Sequence, residues 1–225
     1  MTQPRLTLFS ALSVRTALDA VLPAFTAAPV EVSYDPTTVL VNRITEGARP
    51  EVLIAISAAF PALAELGAID PASPQALARS GIGIAVPADA DLPDLSTVDD
   101  LRAALTSARS VAYSRTGASG IHFANLIEEL GIAEQVNARA TVLPKGFTAE
   151  TLLDGRADLA VQQLSELAFV PQARIAGPLP DAVQQYSELS IALGVAASPQ
   201  ARELLDFLTG PEAVAAFAEA GLLPA

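Results

Sequence analysis

The sequence predicts an α/β protein of mostly parallel sheets flanked by helices, and three observations predict it. Strand and helix signals alternate from the first residues onward. The segment Val52–Ile56 is apolar without interruption, the pattern of a strand buried on both faces. The chain has 225 residues, 51% of them hydrophobic, enough for one large domain or two lobes of about 100 residues each.

The elements follow in order. Residues 6–9 read as a short buried strand. Val14, Leu18, Val21, Leu22 and Phe25 then recur at helical spacing, with Ser13 placed to cap and Pro23 placed to shorten the helix. A strand at 30–34 leads to a helix at 37–47 that Gly47 closes. The Val52–Ile56 strand precedes a helix at 61–66 ended by Gly67. After a Pro- and Ser-rich stretch at 70–74, strands are expected at 82–86, 111–113, 140–143, 159–162 and 189–196. The intervening helices fall at 98–105, 119–130 and 149–153. Two more close the chain, at 199–208 and 211–220, each opened by proline.

Composition excludes several functions. There are 25 acidic and 13 basic residues, a net charge of −12, which repels phosphate backbones and anionic lipid. Neither nucleic acid nor membrane is therefore expected as a partner, and no apolar run approaches the roughly 20 residues of a membrane helix. The absence of cysteine removes disulfides, thiolate nucleophiles and Cys-based zinc sites. His122 is the only histidine, so a multi-histidine metal site is excluded, and no metal or cofactor is expected. Arg5 and the apolar run to Val14 only faintly resemble a secretory leader, since Arg15 ends the run and no clear cleavage site follows. The expected location is the cytoplasm, or the periplasm if a leader has been removed.

In open α/β sheets, ligands sit where strands end and helices begin. Those turns hold Ser10, Ser13 and Arg15, then Asp35, Thr37 and Thr38, then Ser57. In the second half they hold Arg115, Thr116, Gly117, Ser119 and Gly120 before a helix, and Gln162 and Gln163 after a strand. Hydroxyls and amides gather there with two arginines and few carboxylates, the composition of a pocket for a small anion held by neutral donors. Each hydroxyl taken singly also reads as an ordinary helix cap. The loop 117–120 lacks the Lys-Ser/Thr ending of a phosphate loop. Two amides at the end of an apolar strand are harder to dismiss, because buried amides need partners.

Five segments taken together, Leu8-Phe9-Ser10-Ala11-Leu12-Ser13, Thr37-Thr38-Val39-Leu40 running to Glu46-Gly47, residues 51–57, Gly117-Ala118-Ser119-Gly120-Ile121 and residues 207–213, resemble the type II periplasmic binding proteins. Within them the resemblance is to the molybdate-binding proteins of ABC importers, over nearly the whole chain. It implies a two-lobed fold with a ligand cleft between the lobes. One lobe is expected to hold 1–80 plus 188–225 and the other 81–187. By position, Ser13 and Thr37 would be oxyanion-contacting hydroxyls. Ser119 falls where the family donates a main-chain N–H, and Phe147 where another main-chain donor sits.

Three departures matter. Gln163 stands in place of the family's tyrosine, Thr37 replaces the usual serine, and Arg15 adds a positive charge, with Arg115 a second candidate for that role. A carboxylate ligand would suit an arginine, which binds it bidentately. The expected function is therefore binding of a small oxyanion or carboxylate by a monomer, with an ABC permease as partner if the protein is exported. Some relatives of this group resemble aconitate isomerases, which raises the alternative of a cofactor-free isomerase of an unsaturated polycarboxylate with His122 as acid and base. A third reading is an effector-binding module.

Overall fold

The computed structural model describes residues 5–225, and its elements follow the alternation read from the sequence. In chain order they begin with β1 (Leu6–Ala11), α1 (Arg15–Val21), β2 (Val30–Asp35), α2 (Thr37–Thr45), β3 (Val52–Ile56), α3 (Phe60–Glu65) and β4 (Gln75–Pro87). Next come α4 (Val98–Ser107), β5 (Val111–Ser114), α5 (Ala118–Glu129), α6 (Ala133–Asn137), β6 (Thr141–Leu143), α7 (Glu150–Leu153), β7 (Leu159–Gln163) and α8 (Leu164–Leu167). The chain closes with β8 (Ala173–Pro178), β9 (Tyr186–Leu193), α9 (Pro199–Leu208) and α10 (Pro211–Glu219). The described chain divides into two compact units: residues up to Ser80 with Ser187–Ala225, and Gly81–Tyr186. β4 carries the chain out of the first unit and β9 brings it back.

In the first unit the strands run β2-β1-β3-β9. β1 lies parallel to both β2 and β3, and β9 is antiparallel to β3. Alternate residues of β1 and β3 enter two separate cores, as the two-residue period of a strand requires. Leu6, Leu8, Val52 and Ile54 join α1, α9 and α10 residues such as Leu18, Leu204 and Phe217. Phe9, Leu53 and Ala55 join Leu40 and Ile44 of α2 and Phe60 and Leu63 of α3. The sheet is thus covered on both faces, as the uninterrupted apolar run of β3 predicts.

In the second unit the order is β4-β7-β5-β6, with β8 on the other side of β4. β5 is parallel to β6 and β7, while β4 is antiparallel to β7 and β8. The core gathers Ile82 and Ile84, Leu101 and Leu105, Tyr113, and Phe123, Leu126 and Ile127. Gly83 permits this packing, because a Cβ there would lie 2.3 Å from the Leu164 side chain and 2.7 Å from the Gly177 carbonyl oxygen.

Two sequence expectations need correction. Ser13 does not cap the first helix: residues Leu12–Val14 form a separate 3-10 turn, and α1 starts after Val14 with no side-chain cap. Pro23 acts as expected, since α1 ends at Val21 and a second 3-10 turn, Leu22–Ala24, contains it. Second, β4 is 13 residues long where only its apolar half was expected. Its first half, residues 75–80, mixes alanines and a leucine with Gln75, Arg79 and Ser80 in no two-residue alternation, so it carries no strand signature.

Candidate functional site

Parallel pairing decides which turns meet. β1, β2 and β3 share direction, and β1 pairs in register with each neighbour: Ser10 lies opposite Tyr34 of β2 and Ile54 of β3. Their carboxyl ends therefore emerge on one edge of the first unit, and the turns bearing Ser13, Thr37 and Ser57 come together there. Ser13 is buried at 4% exposure and Ser10 is fully buried. The Ser10 hydroxyl donates to the Ala11 carbonyl at 3.1 Å. Thr37 Oγ1 accepts the Ile56 N–H at 3.2 Å, which leaves the hydroxyl hydrogen free to be given to an acceptor. Ser57 and Ser190, the latter from β9, share a hydrogen bond of 2.8 Å. Sequence reasoning missed Ser190, whose only signal is one hydroxyl inside the apolar run of β9.

The charges at this edge are already matched. Arg15 lies 3.5 Å from Asp19, one helical turn on, and its guanidinium stands 5.2 Å from the Tyr34 ring centre. Tyr34 donates to the same Asp19 at 2.8 Å. Burial first, and then that hydrogen bond to Asp19, hold the phenol well above the usual tyrosine range. Asp35, in the second turn, is paired with Arg43 at 2.9 Å, and Arg43 also lies 4.1 Å over the Phe9 ring. Arg43 was not singled out from the sequence. Its place on α2, facing back to the end of β2, is what reveals its role of cancelling a carboxylate charge.

The second unit repeats the logic. β5 and β7 are parallel neighbours, so Ser114 and Gln163 end their strands on one edge. α5 starts there without a side-chain cap and without an acidic residue in its first turn, which leaves its first N–H groups for another acceptor. α2 starts in the same way in the first unit. By contrast, α4 carries a full capping box from Thr97 and Asp100, and α9 is capped by Ser198. Ser119 is buried at 6% exposure in the uncapped first turn of α5. Gly120 holds α5 against β5: a Cβ on it would lie 1.4 Å from the Ser114 carbonyl oxygen.

Gln162 and Gln163 are both buried. Gln162 Oε1 accepts from the Thr148 N–H at 2.7 Å and the Thr148 hydroxyl at 3.0 Å, and its Nε2 donates to the Gly146 carbonyl at 3.1 Å. This amide therefore staples the loop that carries Phe147, whose ring stacks on Phe169 at 4.3 Å. Glu166, on α8, shares the cluster. Burial pushes its carboxyl up to about 7, against hydrogen bonds from the Gln162 side chain and the Gln163 backbone that pull it down.

Two candidates look elsewhere within the unit. The Arg115 guanidinium donates to the Tyr113 hydroxyl at 3.2 and 3.3 Å, and Tyr113 donates to Asn137 at 2.6 Å. His122 Nε2 lies 2.9 Å from the Val183 carbonyl oxygen. A carbonyl can only accept, so Nε2 carries the hydrogen and Nδ1 is the atom of the neutral ring left to take a proton. Among the described residues, no cluster of three or more His, Cys, Asp or Glu could hold a metal ion.

The sequence profile for bacterial extracellular solute-binding proteins matches residues 6–223. The chain belongs to that family. This solute-binding protein shares its fold with the periplasmic molybdate-binding protein of Azotobacter vinelandii, at 20% identity and a TM-score of 0.79 over 98% of this chain and 99% of that one. It also shares it with the sulfate-binding protein of Mycobacterium tuberculosis H37Rv, at 16% identity and a TM-score of 0.74 over 98% of this chain and 86% of that one. In sequence, the solute-binding protein is 29% identical to an aconitate isomerase from a Pseudomonas species over 230 residues, 97% of this chain and 87% of the relative.

Proposed function

We propose that the protein binds a small anion, an oxyanion or a carboxylate, through the donors gathered at these strand-to-helix turns. The observation that carries this reading is the contrast in helix capping. α2 and α5 begin uncapped and free of acidic residues where the candidate residues collect, whereas α4 and α9 are capped by their own side chains. In this reading Ser13 and Thr37 donate through their hydroxyls, Ser119 and Phe147 through main-chain N–H groups, and Gln163 through its amide. Arg15 complements the ligand charge, attenuated by Asp19. Arg115 makes a smaller contribution from its place on Tyr113. Family membership and the likeness in fold to molybdate- and sulfate-binding proteins support the anion class. If the protein is exported, an ABC permease is its proposed partner.

A thermal-shift panel of molybdate, tungstate, sulfate, phosphate, citrate and the aconitates tests the proposal. A ligand at 100 times its Kd adds about 2.7 kcal/mol of stability, a shift of several degrees for a chain of this length. Thr37→Val keeps the side-chain shape and deletes the hydroxyl. Losing a hydrogen bond to a charged group costs about 1.5–3 kcal/mol, so the responding anion is expected to bind roughly 10- to 100-fold more weakly. Unchanged affinity in that variant would remove Thr37 from the site, and no shift with any anion would end the binding reading.

The likeness to aconitate isomerase favours a second reading, a cofactor-free isomerase of an unsaturated polycarboxylate with His122 Nδ1 moving the proton. It predicts conversion of trans- to cis-aconitate, followed by proton NMR, that collapses in His122→Gln. A wild-type protein that turns over no unsaturated di- or tricarboxylate excludes it.

A further inference from the structure

Two serines meet at the carboxyl end of β3. Ser57 opens the 3-10 turn Ser57–Ala59 that follows the strand, a turn that no side chain caps, and it is half-buried. Ser190 is buried at 8% exposure on β9, opposite Ala55 in the register and between the core residues Leu189 and Ile191. Their hydroxyl oxygens lie 2.8 Å apart, and among the described residues neither hydroxyl has a second hydrogen-bond partner. Two hydroxyls carry two hydrogens, and the bond between them uses one. Burial decides which. A hydrogen left over on the enclosed Ser190 would be a buried donor with no acceptor, which is costly. Ser190 therefore donates to Ser57 Oγ, and the surplus hydrogen is that of Ser57, the more exposed of the two. The Thr37 hydroxyl has the same surplus, because its oxygen accepts the N–H of Ile56, the residue before Ser57. Two O–H groups without an acceptor are thus held side by side at this strand end, one bound to Ile56 and one on the residue after it.

We propose that Ser57 is a further anion-binding residue, and that Ser190 is the positioning residue that aims and polarises its hydroxyl. The inference rests on the anion-binding reading and deepens it, by adding a donor that the reading does not contain. Because Ser57 Oγ accepts from Ser190, its own hydrogen turns away from β9. A hydroxyl that accepts a hydrogen bond is also a stronger donor. The ligand chemistry follows from the direction of these bonds. Thr37 and Ser57 each use the oxygen to accept within the protein and offer only the hydrogen outward. The group that fits them has two acceptor oxygens and no hydrogen of its own to place there: an ionised carboxylate or a fully ionised oxyanion, in preference to the protonated form of either.

The test is isothermal titration of the full chain with molybdate and with trans-aconitate, at a pH where both are fully ionised. Ser57→Ala is expected to weaken the anion that binds by about 10- to 100-fold, the loss of one hydrogen bond to a charged group. Ser190→Ala leaves Ser57 its hydrogen but removes the aim and the polarisation, and is expected to weaken binding by about 3- to 10-fold. The double variant separates positioning from packing. It is expected to bind no more weakly than Ser57→Ala alone, because Ser190 acts only through Ser57. Wild-type affinity in either single variant, or an effect of Ser190→Ala that persists in full when Ser57 is already alanine, overturns this inference and leaves anion binding standing. Failure of both anions to bind the wild type overturns both readings. If Ser190→Ala does not fold, Ser57→Ala decides alone: weaker binding supports the inference and wild-type affinity overturns it.

Discussion

The partly enclosed carboxyl of Glu166 makes the stability of the protein depend on pH. Its carboxyl titrates near 7 in the folded state against an ordinary value of 4.5, chiefly because burial penalises the charged form. The folded state therefore holds the proton more tightly than the unfolded chain. The associated stability is fully present below about pH 4.5 and is lost as pH rises through about 7. Glu166→Gln removes the titration, so urea unfolding at pH 8 should show a variant more stable by up to about 3 kcal/mol, with the difference vanishing near pH 4.5. A variant less stable at pH 8 would mean that the hydrogen bonds to Gln162 and Gln163 outweigh desolvation. The sequence could not show this, because the shift depends on how closely other elements pack around a single carboxyl. The place of Thr37 and Ser119 in the first turns of α2 and α5 was legible, since the alternation of strands and helices gives it by order alone. The pairing of Arg15 with Asp19 follows from helical spacing, but Tyr34 and Arg43 join their partners only once β2 lies beside β1 and α2 folds back.

Elements that bury an apolar stripe or run were read well. α9 matches its expected span residue for residue, as does β3. The short elements of the second unit, α6, α8 and β8, were not foreseen. β8 is half-exposed along most of its length and owes its existence to pairing with β4, a partner distant in sequence. Antiparallel strands of this kind also qualify the expectation of parallel sheets, which holds among β1, β2 and β3 and among β5, β6 and β7. α5 offers the sharpest test of packing. Gly120→Ala would drive a methyl group into the Ser114 carbonyl, so the helix start must move away from β5. The expected cost is about 2–4 kcal/mol, read as a lower midpoint in urea, together with weaker anion binding because the Ser119 N–H is displaced. Gly117→Ala, where a Cβ meets nothing within 4 Å, serves as the control and should cost far less.

At the scale of the whole molecule, the net charge of −12 is carried largely by exposed carboxylates, and self-repulsion of that surface lowers stability at low salt. Raising NaCl from 10 to 300 mM should therefore raise the Tm by a few degrees before any ligand is added, and a Tm that falls over that range would show that the exposed ion pairs matter more than the repulsion. The two-unit plan has a further consequence for synthesis. The unit Gly81–Tyr186 is a single uninterrupted stretch of chain, whereas β3 of the other unit pairs with β9, on the far side of that stretch. On a ribosome the later-starting unit is thus the first that can finish. The earlier one must wait with β3 lacking its β9 partner until the final helices α9 and α10 emerge, which makes the nascent N-terminal half the part of this protein most dependent on protection by chaperones.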